Sequence, residues 1–362
     1  MVSAPGRALV TGAASSFPGS ELQGDLWRDH FGPHFGHSRM ATRIFASSGV
    51  ERRHAVANPR VEDVSRWSTG LRMERYVAEA VPLGKAALAG ALDAAALEAA
   101  AVGLLAVVSC TGYATPGVDV QLSRDLGMAE TVQRLFVGHM GCFAALPGLG
   151  AVADFVAARG RPAALVCVEL PSLHAQPPTD DVEQIVAHAL FSDAAAALVV
   201  EPADRDGSPA GHAGRPGGLE VVDIAARTDF ATADYMTWDV TDLGFRMGLS
   251  RQVPDVLAAH VGPIVGELLA RNGIRRDDVG AWAVHPGGPR ILDVVAERLG
   301  LGDDALAPSR QVLALHGNCS SATVLLVLEE LQRLGAPAPG RYVVALAFGP
   351  GLTLYGALLR AR

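Results

Sequence analysis

Three residues far apart in a chain of 362, Cys142, His285 and Asn318, carry side chains that together could move an acyl group. A cysteine thiolate beside an imidazole attacks a thioester carbonyl. An imidazole N–H and a carboxamide N–H can then share the oxygen on which negative charge develops. No Asp and His spacing in the chain calls for a triad of the peptidase kind.

The local sequence decides whether such residues can act. Cys142 follows an apolar run and a glycine turn, and a helical pattern occupies 143–159. That places the thiol at the first turn of a helix, where the macrodipole and unpaired N–H groups favour thiolate and lower its pKa. Pro147 falls within the first turns, where it is either tolerated or kinks the helix. His285 ends the apolar run Trp282-Ala283-Val284 and is followed at once by Pro286-Gly287-Gly288-Pro289, which turns the chain sharply. Asn318 stands just ahead of the helical pattern 323–334, a position that also suits a helix cap. Taken singly, each has a plain structural role, since a buried cysteine is a small hydrophobe and a histidine in an apolar run is usually a core group.

The elements that must hold these residues alternate between strand and helix patterns. Buried strands are expected at 7–12, 103–110, 163–168, 192–200 and 219–226, and helices at 38–47, 73–100, 143–159, 182–190, 253–272 and 323–334. The loop 110–117, rich in Gly and Pro, lies at a strand's carboxyl end, where open α/β sheets place their sites. A polar stretch over 201–218 divides the chain into halves, taken as 1–210 and 211–362, with similar ordering of elements and no residue-level repeat. The alternation argues for α/β layers.

Composition sets outer limits. With 49% hydrophobic and 19% charged residues the chain can bury one large core or two fused ones. A net charge of −8 argues against a general grip on nucleic acid, so an anionic substrate must meet a local cluster of arginines. Arg39 and Arg43, four apart on one face of the expected helix, could hold phosphates or simply face solvent. Cys110, Cys142, Cys167 and Cys319 lack CxxC spacing, which disfavours a metal site or a disulfide framework and suggests a reducing compartment. No uninterrupted run of about 18 apolar residues is present, so a cytoplasmic protein without a membrane partner is expected.

Over roughly 7–358 the residues resemble the type III polyketide synthases, the chalcone and stilbene synthase group of the thiolase-like superfamily. Gly141-Cys142-Phe143-Ala144 is similar to the family's nucleophile segment, His285-Pro286-Gly287-Gly288-Pro289 to its histidine loop, Gly317-Asn318-Cys319-Ser320-Ser321-Ala322 to its asparagine loop, and Phe348-Gly349-Pro350-Gly351-Leu352-Thr353 to its closing signature. The resemblance implies a thiolase-like fold of two similar halves in a layered αβαβα body. It implies that Cys142 carries the acyl chain, while His285 and Asn318 support decarboxylation of malonyl-CoA. It further implies that Phe191 and Phe245 are paired gatekeepers, that Cys110, Thr111, His174 and Ser320 line the substrate cavity, and that Arg39 and Arg43 hold CoA phosphates; Arg290 joins them by location. Acyl-CoA and malonyl-CoA are the expected ligands, with no metal or other cofactor. A homodimer with 137–140 at its interface follows from the same resemblance.

Two departures stand out. Ala145-Leu146-Pro147 replaces a glycine pair after the cysteine, and Pro171 and His174 occupy positions that are cavity threonines in the plant members. Both leave the number of extension units open. A single-condensation acyltransferase of the ketoacyl synthase III kind is the alternative, and a catalytically silent scaffold is disfavoured because all three active residues are present.

Overall fold

The computed structural model describes residues 6–204, 208–209, 218–335 and 337–362. Its thirteen described strands are β1 (Arg7–Ser16), β2 (Ser20–Leu22), β3 (Arg52–His54), β4 (Leu104–Val108), β5 (Gln133–Val137), β6 (Ala163–Glu169), β7 (Ala194–Ala203), β8 (Leu219–Thr228), β9 (Met236–Thr241), β10 (Gly244–Leu249), β11 (Val279–Val284), β12 (Tyr342–Gly349) and β13 (Thr353–Ala361). Nine of them form one mixed sheet in the order β11-β12-β13-β8-β1-β7-β6-β4-β5.

The two halves of that sheet share a plan. Moving outward from the joint, the N-terminal half runs β1, β7, β6, β4 and the C-terminal half β8, β13, β12, β11. In each half the first two pairings are antiparallel and the third parallel. The joint itself is narrow: β1 meets β8 through only Leu9 with Glu220 and Val10 with Leu219. The division expected at 210 and 211 lies outside the described residues.

Strands β4 and β6 are buried along their whole length, as parallel strands must be when helices cover both faces. One apolar cluster packs the inner faces of both half-sheets against the helices Ala145–Arg159 and Ala322–Arg333. Thr69–Ala94 covers the outer face of the N-terminal half, and Val253–Arg271 and Pro289–Leu299 that of the C-terminal half. Helix, sheet, helix pair, sheet, helix is the αβαβα order. The long apolar helices Ala145–Arg159 and Val253–Arg271 direct their hydrophobic residues into these clusters.

Pro147 does not kink its helix. It lies in the first turn, where the N–H it lacks would have had no intrahelical partner. The expected helix over 38–47 is Arg39–Ala46, capped by Ser38, whose hydroxyl accepts from the Ala41 N–H at 3.0 Å. The hairpin of β9 and β10 forms a separate two-stranded sheet that the sequence pattern had not indicated.

Candidate active site

Each of the three chemically competent residues sits where the fold turns out of its core. Cys142 occupies a 3₁₀ turn, Gly141–Phe143, that runs into the central helix Ala145–Arg159. Gly141 starts the turn at φ +75°, and a Cβ there would stand 2.6 Å from Pro350 Cδ, so only glycine fits. His285 follows the last residue of β11, its N–H donating to Leu346 O at 2.8 Å. Asn318 precedes the second central helix and is stitched to the 190–192 segment by two backbone bonds, Asn318 N–H to Leu190 O at 2.8 Å and Ser192 N–H to Asn318 O at 3.0 Å.

All three line one cavity of about 310 Å³, together with Phe191, Met247, Phe348 and the loop Gly287-Gly288-Pro289. Arg290 and Arg251 also line it, and both are exposed. The Asn318 carbonyl oxygen accepts from the Ser320 N–H at 2.9 Å, which fixes the carboxamide. Its Nδ2 has no hydrogen-bond partner among the described residues and is left to donate to a ligand. His285 is fully buried against the edge of Phe348, ring centroids 5.6 Å apart, and neither ring nitrogen has a protein partner.

Electrostatics overturn one expectation. The turn ahead of a helix was expected to lower the Cys142 pKa; burial instead dominates and pushes the thiol up to about 12, with the Ser320 hydroxyl opposing only in part. Burial likewise pulls His285 down to about 3. The resting pair is therefore a neutral thiol and a neutral imidazole, with no hydrogen bond between them.

A smaller chamber of about 20 Å³ opens on the other side of Cys142, lined by Cys110, Thr111, Ser320, Pro171, Phe191, Trp238, Met247 and Pro350. Behind it lies Glu169, fully buried at the end of β6. Its carboxylate accepts from Thr111 Oγ1 at 2.7 Å, from the Cys110 N–H at 3.1 Å and from the Ser321 hydroxyl, and burial raises its pKa to about 7. Cys110 also contacts Ser320 Oγ at 3.2 Å, and burial and Glu169 hold its thiol well above the ordinary range.

Four expected residues lie elsewhere. Phe245 and His174 line a third cavity, about 80 Å³, and neither borders the cavity of Cys142. Their rings stack at 4.5 Å, with His174 Nδ1 accepting from the Phe245 N–H at 2.9 Å and Nε2–H donating to Thr111 O at 2.7 Å. The residue that shares the Cys142 cavity with Phe191 is Met247, two positions further along β10. Arg39 and Arg43 are exposed on their helix and do not line the cavity. Glu169, Trp238, Met247 and Arg251 were missed; a carboxylate closing the apolar run of β6 was the one legible signal among them.

Comparison with known proteins identifies the family of the whole chain. Residues 47–204 match the N-terminal domain of the chalcone and stilbene synthases, and residues 224–362 match their C-terminal domain. The chain is 38% identical over 326 residues to 1,3,6,8-tetrahydroxynaphthalene synthase of Streptomyces peucetius subsp. caesius, covering 89% of this chain and 83% of that one. It is 33% identical over 335 residues to the alpha-pyrone synthesis polyketide synthase-like Pks18 of Mycobacterium tuberculosis, covering 89% and 82%. Its fold matches the crystal structure of PKS-I from the brown alga Ectocarpus siliculosus with a TM-score of 0.90, at 28% identity and over 100% of both chains.

Proposed function

The chain belongs to the chalcone and stilbene synthase family, the type III polyketide synthases, and from that premise we propose that it loads a starter acyl group from CoA onto Cys142, extends it with malonyl-CoA and releases a cyclised pyrone or phenolic product. The observation that carries this reading is the single cavity of about 310 Å³ lined by Cys142, His285 and Asn318.

Loading begins as the Cys142 thiol passes its proton to the neutral His285 and the sulfur attacks the thioester carbonyl. The tetrahedral intermediate collapses to the acyl enzyme, and the CoA sulfur leaves with the proton from His285. Malonyl-CoA then loses carbon dioxide. The electron pair left behind becomes an enolate whose oxygen takes hydrogen bonds from Asn318 Nδ2–H and His285 Nε2–H. The enolate carbon attacks the acyl carbonyl on Cys142, releasing the thiolate and leaving the lengthened chain on CoA. The high pKa of Cys142 and low pKa of His285 mean that charge separation waits for substrate to complete the site.

Arg290 and Arg251, exposed at the same cavity and without ion-pair partners among the described residues, are placed to meet CoA phosphates; Arg39 and Arg43 could do so only from the surface beyond it. The chemistry needs no cofactor beyond the CoA thioesters. A homodimer is proposed on family grounds, and the edge strand β5, with Leu135 and Phe136 exposed just ahead of 137–140, supports it. Four unpaired cysteines suit a reducing cytoplasm.

The test is product mass from purified protein given a panel of acyl-CoAs with and without malonyl-CoA. C142A should abolish acyl loading. N318A should keep loading and lose about 10²–10³-fold in extension, the usual cost of one oxyanion donor. Normal extension by N318A would remove Asn318 from the mechanism. Products that need no malonyl unit would support a single-transfer acyltransferase instead.

A further inference from the structure

Two imidazoles meet at the base of the asparagine loop. His54 of β3 and His316, the last residue of the helix Ala307–His316, bring Nε2 and Nδ1 to 3.1 Å. Their rings lie within 19° of parallel, and Phe17 stacks on both, with centroids 4.6 Å from His54 and 4.3 Å from His316. Packing on Phe17 alone asks only for flat rings. Imidazoles there must also desolvate polar edges, which is costly unless those edges are hydrogen-bonded.

The direction of the bond follows from its far end. His54 Nδ1 stands 3.2 Å from the Pro18 carbonyl, which can only accept, so Nδ1 carries the proton. In the neutral ring Nε2 is then an acceptor, and His316 Nδ1–H is the donor. Burial holds both rings below the ordinary imidazole range, His316 at about 4; Arg52 adds to the effect at both, and Glu330 opposes it at His316. The pair is therefore neutral at neutral pH.

This contact closes a ring of bonds around the loop. The ring passes from His54 to His316, along the chain through Gly317 to Asn318, from the Asn318 carbonyl to the Ser192 N–H, and from Ser192 Oγ to the His54 N–H at 2.8 Å. Gly317 leaves it no slack. That residue turns at φ +69°, and a Cβ on it would stand 2.9 Å from Leu190 O and from Ser192 Cβ.

We propose that His54 and His316 are positioning residues for Asn318, their hydrogen bond closing the ring that aims the carboxamide Nδ2–H at the substrate oxygen. This rests on the role proposed above for Asn318. Neither imidazole meets the reacting atoms. The bond, rather than the stacking on Phe17, is the operative property, and its loss should be felt in decarboxylation and extension, which use Asn318, and not in loading of Cys142.

The experiment compares the full-length wild type, H316F and H316N. Loading of Cys142 is read by intact mass with one acyl-CoA, and decarboxylation as labelled carbon dioxide released from malonyl-CoA. H316F keeps a ring on Phe17 and removes the donor; it should load normally and release carbon dioxide about 10–10²-fold more slowly, the scale of a misplaced reacting group. H316N gives up the ring but keeps an N–H near the place of Nδ1, and should retain the wild-type rate. Placed on N318A, H316F should cost nothing further, since the group it positions is already gone. If H316F fails to load, H54F removes the acceptor from the other side and is expected to give the same selective loss. Wild-type decarboxylation by a loading H316F or H54F would overturn the proposal. So would an H316N as slow as H316F, which would assign the effect to stacking, or an H316F that slows N318A by its full factor. A wild type that loads but releases no carbon dioxide would instead overturn the condensing activity itself.

Discussion

The neutrality of the resting pair is a property of individual residues that can be measured directly. With the Cys142 thiol near 12, alkylation by iodoacetamide should be slow at pH 7 and should keep rising with pH past the ordinary thiol range. A rate that levels off near neutral pH would mean that a thiolate is already stored. Cys142, His285 and Asn318, which line one cavity, were legible in the sequence as candidates because each is bracketed by turn-forming neighbours that interrupt an apolar run. Met247 and Trp238 were not, since a methionine and a tryptophan in a short strand carry no mark of what they face. Phe245 shares the cavity of about 80 Å³ with Phe191 but not that of Cys142: strand alternation puts 245 and 247 on one side of β10, and only the tertiary packing decides which borders Cys142.

The turns that present these residues tolerate little change. Alanine at Gly141 would adopt a left-handed backbone and press its Cβ against Pro350. We expect G141A to lose roughly 1–3 kcal/mol of stability in urea denaturation, with acyl loading reduced as the turn shifts. Wild-type stability together with full loading would show that the turn can relax. Most elements were foreseeable from apolar runs and helical spacing, and Arg39–Ala46 and Val182–Leu190 fall within a residue or two of expectation. The β9 and β10 hairpin was not, because its burial is irregular and only a few of its residues face the core.

Taken as a whole, the molecule buries more ionisable groups than its site requires, and this sets its response to acid. Burial holds His174, His188 and His316 at about 4 and His285 at about 3. The unfolded chain takes up these protons near pH 6.5, well before the folded chain can, so their burial costs stability as pH falls through that window. Glu169 and Asp193, raised by burial to about 7 and about 6, act in the opposite sense, since the folded chain binds their protons first. The four imidazoles outnumber the two carboxyls. The urea midpoint should therefore fall between pH 6.5 and 4.5, and a midpoint that rose would reverse the assignment. An α/β class and a similar ordering of elements in the two halves could be read from alternation, the αβαβα order came from the family resemblance, and the fusion of both halves into one sheet depends on the β1 and β8 pairing, which no local pattern encodes.

The hairpin that carries Trp238 and Met247 belongs to neither half-sheet, while the thiol and the carboxamide are fixed at the leading ends of two helices locked between the layers. The hairpin side chains that border the cavities thus stand on an element apart from the helices that hold the thiol and the carboxamide. A change of side-chain size on the hairpin can therefore be absorbed by its own two-stranded sheet, leaving the framework of the thiol and the carboxamide to the packed layers.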